Sequence, residues 1–152
     1  LGLKVPMILK RGYHGHFAME ARLSRPYFLT AEGVVLSSMA RGLRITTGAE
    51  LTGIDAPRDL TQLLRGERAA RRVLPLGPAV PDGLWHGHRP CPPDMLPYLG
   101  GVPGRPGLWL DFGHGHHGLT LGPTTGALLA EMVEGRDDDL TRALSPGGRI
   151  RG

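Results

Sequence analysis

The segment Asp111–Gly126, DFGHGHHGLTLGPTTG, sets Gly113-x-Gly115-x-x-Gly118 between an apolar strand and an apolar helix, and this order constrains the fold most. A dinucleotide-binding fingerprint needs that strand, turn and helix, then a second parallel strand and an acid about 20 residues on. Here the chain continues as GRDDDLTRALSPGGRIRG, with no second hydrophobic strand, so a βαβ unit does not close. The isolated mononucleotide fold is excluded. The physics of the turn survives. Glycines allow close backbone approach, and a helix N-terminus offers free N–H groups and a partial positive charge. Residues 119 to 125 would aim that end at an anionic or carbonyl-bearing group, with Thr120, Thr124 and Thr125 as further donors. The competing reading is a tight strand-to-helix connection with no ligand.

The preceding chain reads as β-rich. RPYFLT (25–30), GVVLSSM (33–39) and GLRITTGAEL (42–51) are short, carry β-branched residues and are separated by turn signals, which predicts an antiparallel meander. GYHGHFAME (12–20) supplies a further strand. A helix is predicted over 57–73, with Leu60, Leu63, Leu64, Ala70 and Val73 on one face and Gly66 weakening it. Prolines between 75 and 81 break regular structure, and the proline-punctuated stretch 84–101 is unsuited to a helix. GLWLDFG (107–113) reads as a buried strand. In the helix that follows, Pro123 suits the first turn, Leu128, Leu129, Met132 and Val133 form the apolar face, and Gly135 ends it. The tail from Arg136 is expected to be polar and frayed. Gly (24) and Pro (14) make about a quarter of the 152 residues, so with 40% hydrophobic residues one loop-rich domain with a modest core is expected.

The net charge of +4 rests on arginines scattered among acids, and only 5% of residues are aromatic. Base-stacking platforms are scarce, which argues against nucleic acid. Basic charge permits contact with a membrane surface but does not show it. No apolar run approaches the ~20 residues of a membrane span. The single Cys91 rules out an internal disulfide and fits a reducing, cytoplasmic setting. The start, LGLKVPMILKRG, has neither an initial Met nor a signal-peptide layout and reads as the interior of a longer protein.

The seven histidines fall in three clusters: His14 and His16, His86 and His88, and His114, His116 and His117. An H-x-H pair on a strand directs both imidazoles to one face, so a metal-binding domain or metal-dependent hydrolase is an alternative. Carboxylates at ligand spacing are missing, and polar loop residues are the plainer reading. Arg89 lies in an apolar, proline-rigidified segment and either grips a carboxylate bidentately or pairs with Asp94 or Asp111. Asp94 reads as a loop-fixing acceptor and Cys91 as a packing residue.

Two segments then carry a resemblance. RPCPPDMLPYLG and GLWLDFGHGHHGLTLGPTTGALLAEMV resemble the C-terminal portion of FAD-dependent amino-acid oxidoreductases, the D-amino-acid dehydrogenase, glycine oxidase and sarcosine oxidase group. Their pattern is R-P-x-x-P-D-x-x-P-x-x-G, a short strand, G-H-x-x-x-G-x-x-x-x-P-x-x-G and an apolar helix; RGYHGHF and the meander are similar to the substrate-domain sheet. The resemblance implies an α+β fold of an α/β family: an antiparallel substrate-domain sheet plus the C-terminal strand–loop–helix of an FAD-binding domain, its N-terminal Rossmann unit missing. It implies a substrate-binding (cap) part over 1–83, an FAD-domain segment over 84–135 and a polar tail over 136–152. Gly113, His114, Gly115, His116, His117, Gly118, Leu119 and Thr120 would lie against the flavin's pyrimidine edge. Arg89 would bind the substrate carboxylate, with Tyr13 and His14 on the substrate side, and hydride would pass from the amine-bearing carbon of a D-amino acid to flavin N5. The ADP half of the FAD site is absent, so an incomplete enzyme, completed by an N-terminal FAD-binding part, is expected; an inactive remnant is the other outcome.

Overall fold

The computed structural model describes residues 1–151. The chain forms two compact units, one of residues 10–88 and one of residues 1–9 with the chain from Arg89 onward.

The first unit is built on an antiparallel sheet. β1 (Ile8–Phe17), β2 (Tyr27–Leu29), β3 (Val34–Met39), β4 (Gly42–Thr46) and β5 (Glu50–Leu51) run in the order β2-β3-β4-β1-β5, and β6 (Trp85–Cys91) pairs with β1. The predicted meander is present, with β1 shifted towards the N-terminus of the expected 12–20. Alternation along β3 and β4 sends Val34, Leu36, Leu43 and Ile45 into the core with Phe17, Leu63, Ala70 and Leu76. Val35, Ser37, Arg44 and Thr46 face the other way, half-buried.

α1 (Thr61–Val73) covers the core face. It starts four residues later than the predicted 57, because the backbone before it is engaged elsewhere. The Ala56 and Pro57 carbonyls accept from the Arg11 guanidinium, and the Asp59 N–H donates to the Tyr13 hydroxyl. Gly66, a weakness by propensity, is explained by packing. A Cβ there would lie 2.9 Å and 3.0 Å from the two Val34 methyls, so glycine lets the helix seat on β3.

The second unit contains a two-stranded sheet of β7 (Tyr98–Gly101) and β8 (Trp109–Phe112), followed by α2 (Gly118–Val133) and α3 (Asp139–Leu144). α2 packs on β7 and β8, and α3 on β7. α2 corrects the expected start. Pro123 is not in its first turn but inside it, and Gly118, Leu119 and Thr120 are helical instead of looped. The His117 carbonyl accepts from both Thr120 and Leu121 N–H, which opens the helix before the proline. Pro123 then leaves the Leu119 carbonyl without its i+4 donor, tolerable because Leu119 is 98% exposed.

The tail also departs from expectation. Asp138 and Thr141 form a reciprocal capping box at the start of α3, and Thr141 and Leu144 are buried. Arg149 then grips both Asp94 oxygens at 3.0 Å, donates to the carbonyls of Leu96, Pro97 and Leu144, and lies 4.3 Å from the Tyr98 ring centroid. Residues past 136 therefore belong to this unit instead of forming a separate polar tail. The chain's start joins them: Lys4 exchanges backbone hydrogen bonds with Arg151, and the Tyr98 hydroxyl donates to the Pro6 carbonyl. The compact units thus divide at 9/10 and 88/89. No helix among the described residues is long and apolar enough to cross a membrane.

Two glycine substitutions should separate packing from propensity. Gly66→Val crowds Val34 and is expected to cost about 1–3 kcal/mol. Gly126→Ala in α2 meets no atom within 4 Å and should add about 0.5–1 kcal/mol. Urea denaturation of both variants checks the opposite signs.

Candidate functional site

The glycine turn is set by close approach. Gly113 has φ 87°, and a Cβ on it would lie 2.8 Å from Pro92 Cγ; Gly115 has φ 57°, with its Cβ position 3.2 Å from the Cys91 Sγ. Both positions need glycine for backbone conformation and for space. Cys91 is fully buried, as its reading as a packing residue requires. The turn delivers the chain into α2, whose N-cap His117 makes no side-chain capping bond. His116, His117, Gly118, Leu119 and Thr120 are exposed around this uncapped end.

Under the turn sits a polar cluster that the sequence reading did not assemble. The Thr125 hydroxyl is 3.0 Å from His114 Nε2, 3.2 Å from Asp111 Oδ2 and 3.2 Å from the Gly122 carbonyl. His114 Nε2 also lies 3.2 Å from Asp111 Oδ1. Thr125 is 4% exposed, so its hydroxyl is used internally and is not a ligand donor. The cluster ties the end of β8 to the second turn of α2 and fixes the loop between them. The spacing Asp-x-x-His, then Thr eleven residues on, is its only trace in sequence.

Arg89 stands half-buried on β6, and its guanidinium has no ion pair or hydrogen bond among the described residues. The expected partners are otherwise engaged: Asp94 is held by Arg149 and caps the Leu96 N–H, and Asp111 faces Thr125 and His114. The internal ion pair weighed for Arg89 does not form.

On the first unit, Tyr13 and His14 point to opposite sides of β1. Tyr13 is 3% exposed; its hydroxyl donates to Glu50 and accepts from the Asp59 N–H. Glu50 also takes the Arg11 guanidinium at 3.0 Å and 3.2 Å, and the Arg11 bond is the main cause that holds the Glu50 carboxyl below its ordinary value. Tyr13 is thus committed to a Glu50–Arg11 network that anchors the loop before α1. His14 is half-buried and stacks on Trp85 with centroids 5.1 Å apart. Burial first, then the charge of Arg44 and the nearby His16, push its pKa down.

The histidine pairs do not converge. His14 and His16 meet edge to face at 5.2 Å, His86 and His88 at 6.4 Å. Among the described residues no group of three or more His, Cys, Asp or Glu is placed to hold a metal ion, so the metal alternative finds no ligand set.

Comparison with known proteins assigns the family. The profile described as DAO, FAD dependent oxidoreductase, matches residues 1–132. The chain belongs to this family. A glycine oxidase of Pseudomonas aeruginosa is 33% identical over 153 residues, covering 99% of this chain and 42% of that protein. A D-amino acid dehydrogenase of Paramagnetospirillum magneticum is 34% identical over 141 residues, covering 90% of this chain and 33% of its own length. Among solved structures, glycine oxidase from Geobacillus kaustophilus superposes with a TM-score of 0.75 at 24% identity, over 95% of this chain and 40% of that one; at this identity the likeness is one of fold. The chain spans less than half the length of these relatives.

FAD is the cofactor of the DAO family. The donor chemistry present fits the polar edge of such a ring: the α2 terminus, without a side-chain cap, offers N–H groups of the kind that edge accepts.

Two measurements probe this framework. Thr125→Val removes the hydroxyl shared by His114 and Asp111 and should destabilise the unit by about 1–3 kcal/mol, read by thermal unfolding. For Glu50, a folded-state pKa below the ordinary 4.5 means its stabilisation is complete above that value and fades as pH falls through the depressed one. Glu50→Gln should therefore lower stability at neutral pH and flatten the acid limb of the melting-temperature profile. An unchanged acid limb would remove the Arg11–Glu50 pair from that role.

Proposed function

We propose that this chain is the substrate-facing and C-terminal part of an FAD-dependent oxidoreductase that oxidises the CH–NH group of a D-amino acid or related amine acid. The observation carrying this reading is Arg89, a half-buried residue whose guanidinium has no anion of its own, in the same unit as the glycine turn and the α2 terminus. An arginine in such a setting is costly to keep unpaired and suits a bidentate carboxylate from the substrate. The names of the relatives, glycine oxidase and D-amino acid dehydrogenase, agree with an amino-acid carboxylate as the ligand.

In this reading Arg89 binds and orients the substrate carboxylate. Gly113 and Gly115 bring the 113–118 backbone against the cofactor's pyrimidine edge, and the first-turn N–H groups of α2 favour negative charge there. His114 holds the loop through Thr125 rather than touching the reactants. A flavin held by the 113–118 backbone and the α2 terminus would supply, at N5, the two-electron acceptor for hydride from the amine-bearing carbon, and water would then hydrolyse the imine product. His14 stands on the substrate side, whereas Tyr13 acts through its hold on Glu50. The rest of the FAD site comes from the portion of the relatives' length that this chain does not span, and the cytoplasm is the proposed location.

The test uses the FAD-loaded enzyme that carries this chain. Arg89→Ala should raise the KM for a D-amino acid roughly ten- to a hundredfold, the loss of about 1.5–3 kcal/mol for a charged hydrogen-bonded contact. Arg89→Lys should recover part of it, and an amine substrate lacking the carboxylate should respond to neither. Equal kinetics for wild type and Arg89→Ala would remove Arg89 from the carboxylate role.

A further inference from the structure

Four arginines are less than exposed: Arg11, Arg44, Arg89 and Arg149. Arg11 and Arg149 are saturated with carboxylate and carbonyl acceptors, and Arg89 is taken up by the reading above. Arg44 remains. Its Nε is fully buried yet has no hydrogen-bond partner, and the residue makes no ion pair among the described residues. A buried guanidinium nitrogen without an acceptor is costly and needs an explanation.

The sheet register shows what surrounds it. On the face opposite the core, Arg44 lies directly between His16 of β1 and Ser37 of β3, and the next row is His14, Thr46 and Val35. These positions carry donors and no carboxylate. The His16 Nδ1 lies 3.2 Å from the Gly83 carbonyl and donates to it, so a neutral His16 ring is held in place with Nε2 as an acceptor. Trp85, 53% exposed, stacks on His14, and its ring folds back over Gly87, where any Cβ would strike it. The glycine thus permits an aromatic shelf beside the basic row.

We propose that Arg44, flanked by His16, Ser37 and His14 and bordered by the Trp85 ring, forms a binding site for a small organic carboxylate on the face of this sheet opposite the core. Arg44 supplies the charge and the donors of its terminal nitrogens, the Ser37 hydroxyl and the N–H of a neutral His14 add two more, and Trp85 covers an aliphatic stem. The depressed pKa of His14 agrees with its serving as an uncharged hydrogen-bond partner beside a permanent cation.

The test needs no flavin. Titrating the intact chain with glutarate, and with glutaramide as the uncharged counterpart, is followed by NMR at the Arg44 Nε–H and the His14 and His16 rings. Saturable shifts with glutarate alone are expected, weakened about tenfold or more in Arg44→Gln and partly restored in Arg44→Lys. Ser37→Asp sets an acid opposite Arg44 across the β3–β4 pair and should abolish binding while circular dichroism reports an intact sheet; it decides the matter if Arg44→Gln misfolds. No saturable shift with glutarate, an equal response to glutaramide, or binding unchanged in Ser37→Asp overturns the site. Glutarate binding that persists while the loaded enzyme fails to oxidise amine acids would sink the oxidoreductase reading alone.

Discussion

Arginine side chains paired with loop carbonyls hold this structure together. A chain with so much glycine and proline makes long irregular connections, and irregular backbone leaves acceptors that no helix or sheet ladder satisfies. Arg11 serves Ala56 and Pro57, Arg41 serves Pro81 and Asp82, Arg71 serves Leu76 and Gly77, and Arg149 serves Leu96, Pro97 and Leu144. The planar fork, with five donors, suits the work: one guanidinium grips a carboxylate and still reaches two carbonyls. The arginine bias that reads in composition as a solvated surface is in part an internal scaffold for loops.

That scaffold explains where sequence reasoning held and where it slipped. The meander was legible because β3 and β4 alternate strictly, with Val34, Leu36, Leu43 and Ile45 on one face. α2 was legible from its apolar run, but its start was not. Pro123 is as compatible with the second turn as with the first once the Leu119 carbonyl faces solvent, and the deciding bonds go to the His117 carbonyl. The delay of α1 depends on Arg11 and Tyr13, more than forty residues away in sequence. The order of the tail depends on Arg149 reaching back to Asp94. Contacts of that separation leave no local pattern to read.

The site shows the same division. Gly113 and Gly115 were readable as close-approach glycines, since that role is written in the residue type. The Thr125–His114–Asp111 cluster was not, because Thr125 reads as a donor towards a ligand until its hydroxyl is seen to be shared inside the protein. Arg89 was legible as an unusual cation in an apolar segment, yet only the structure could show that Asp94 and Asp111 are spoken for.

Once the scaffold arginines are set aside, the remaining two half-buried ones become informative. Proteins tolerate an unpaired, poorly hydrated cation where it lowers stability but serves binding, because a ligand that pairs it recovers the desolvation cost on association. Lysine would not suit either place as well, since its single point charge cannot match a carboxylate at two oxygens. An exposed arginine without a partner stays hydrated and pays no such cost, so its lack of one says nothing. Partial burial without an acceptor is the property that singles out Arg44 and Arg89, and it is why a carboxylate is the ligand chemistry proposed for each.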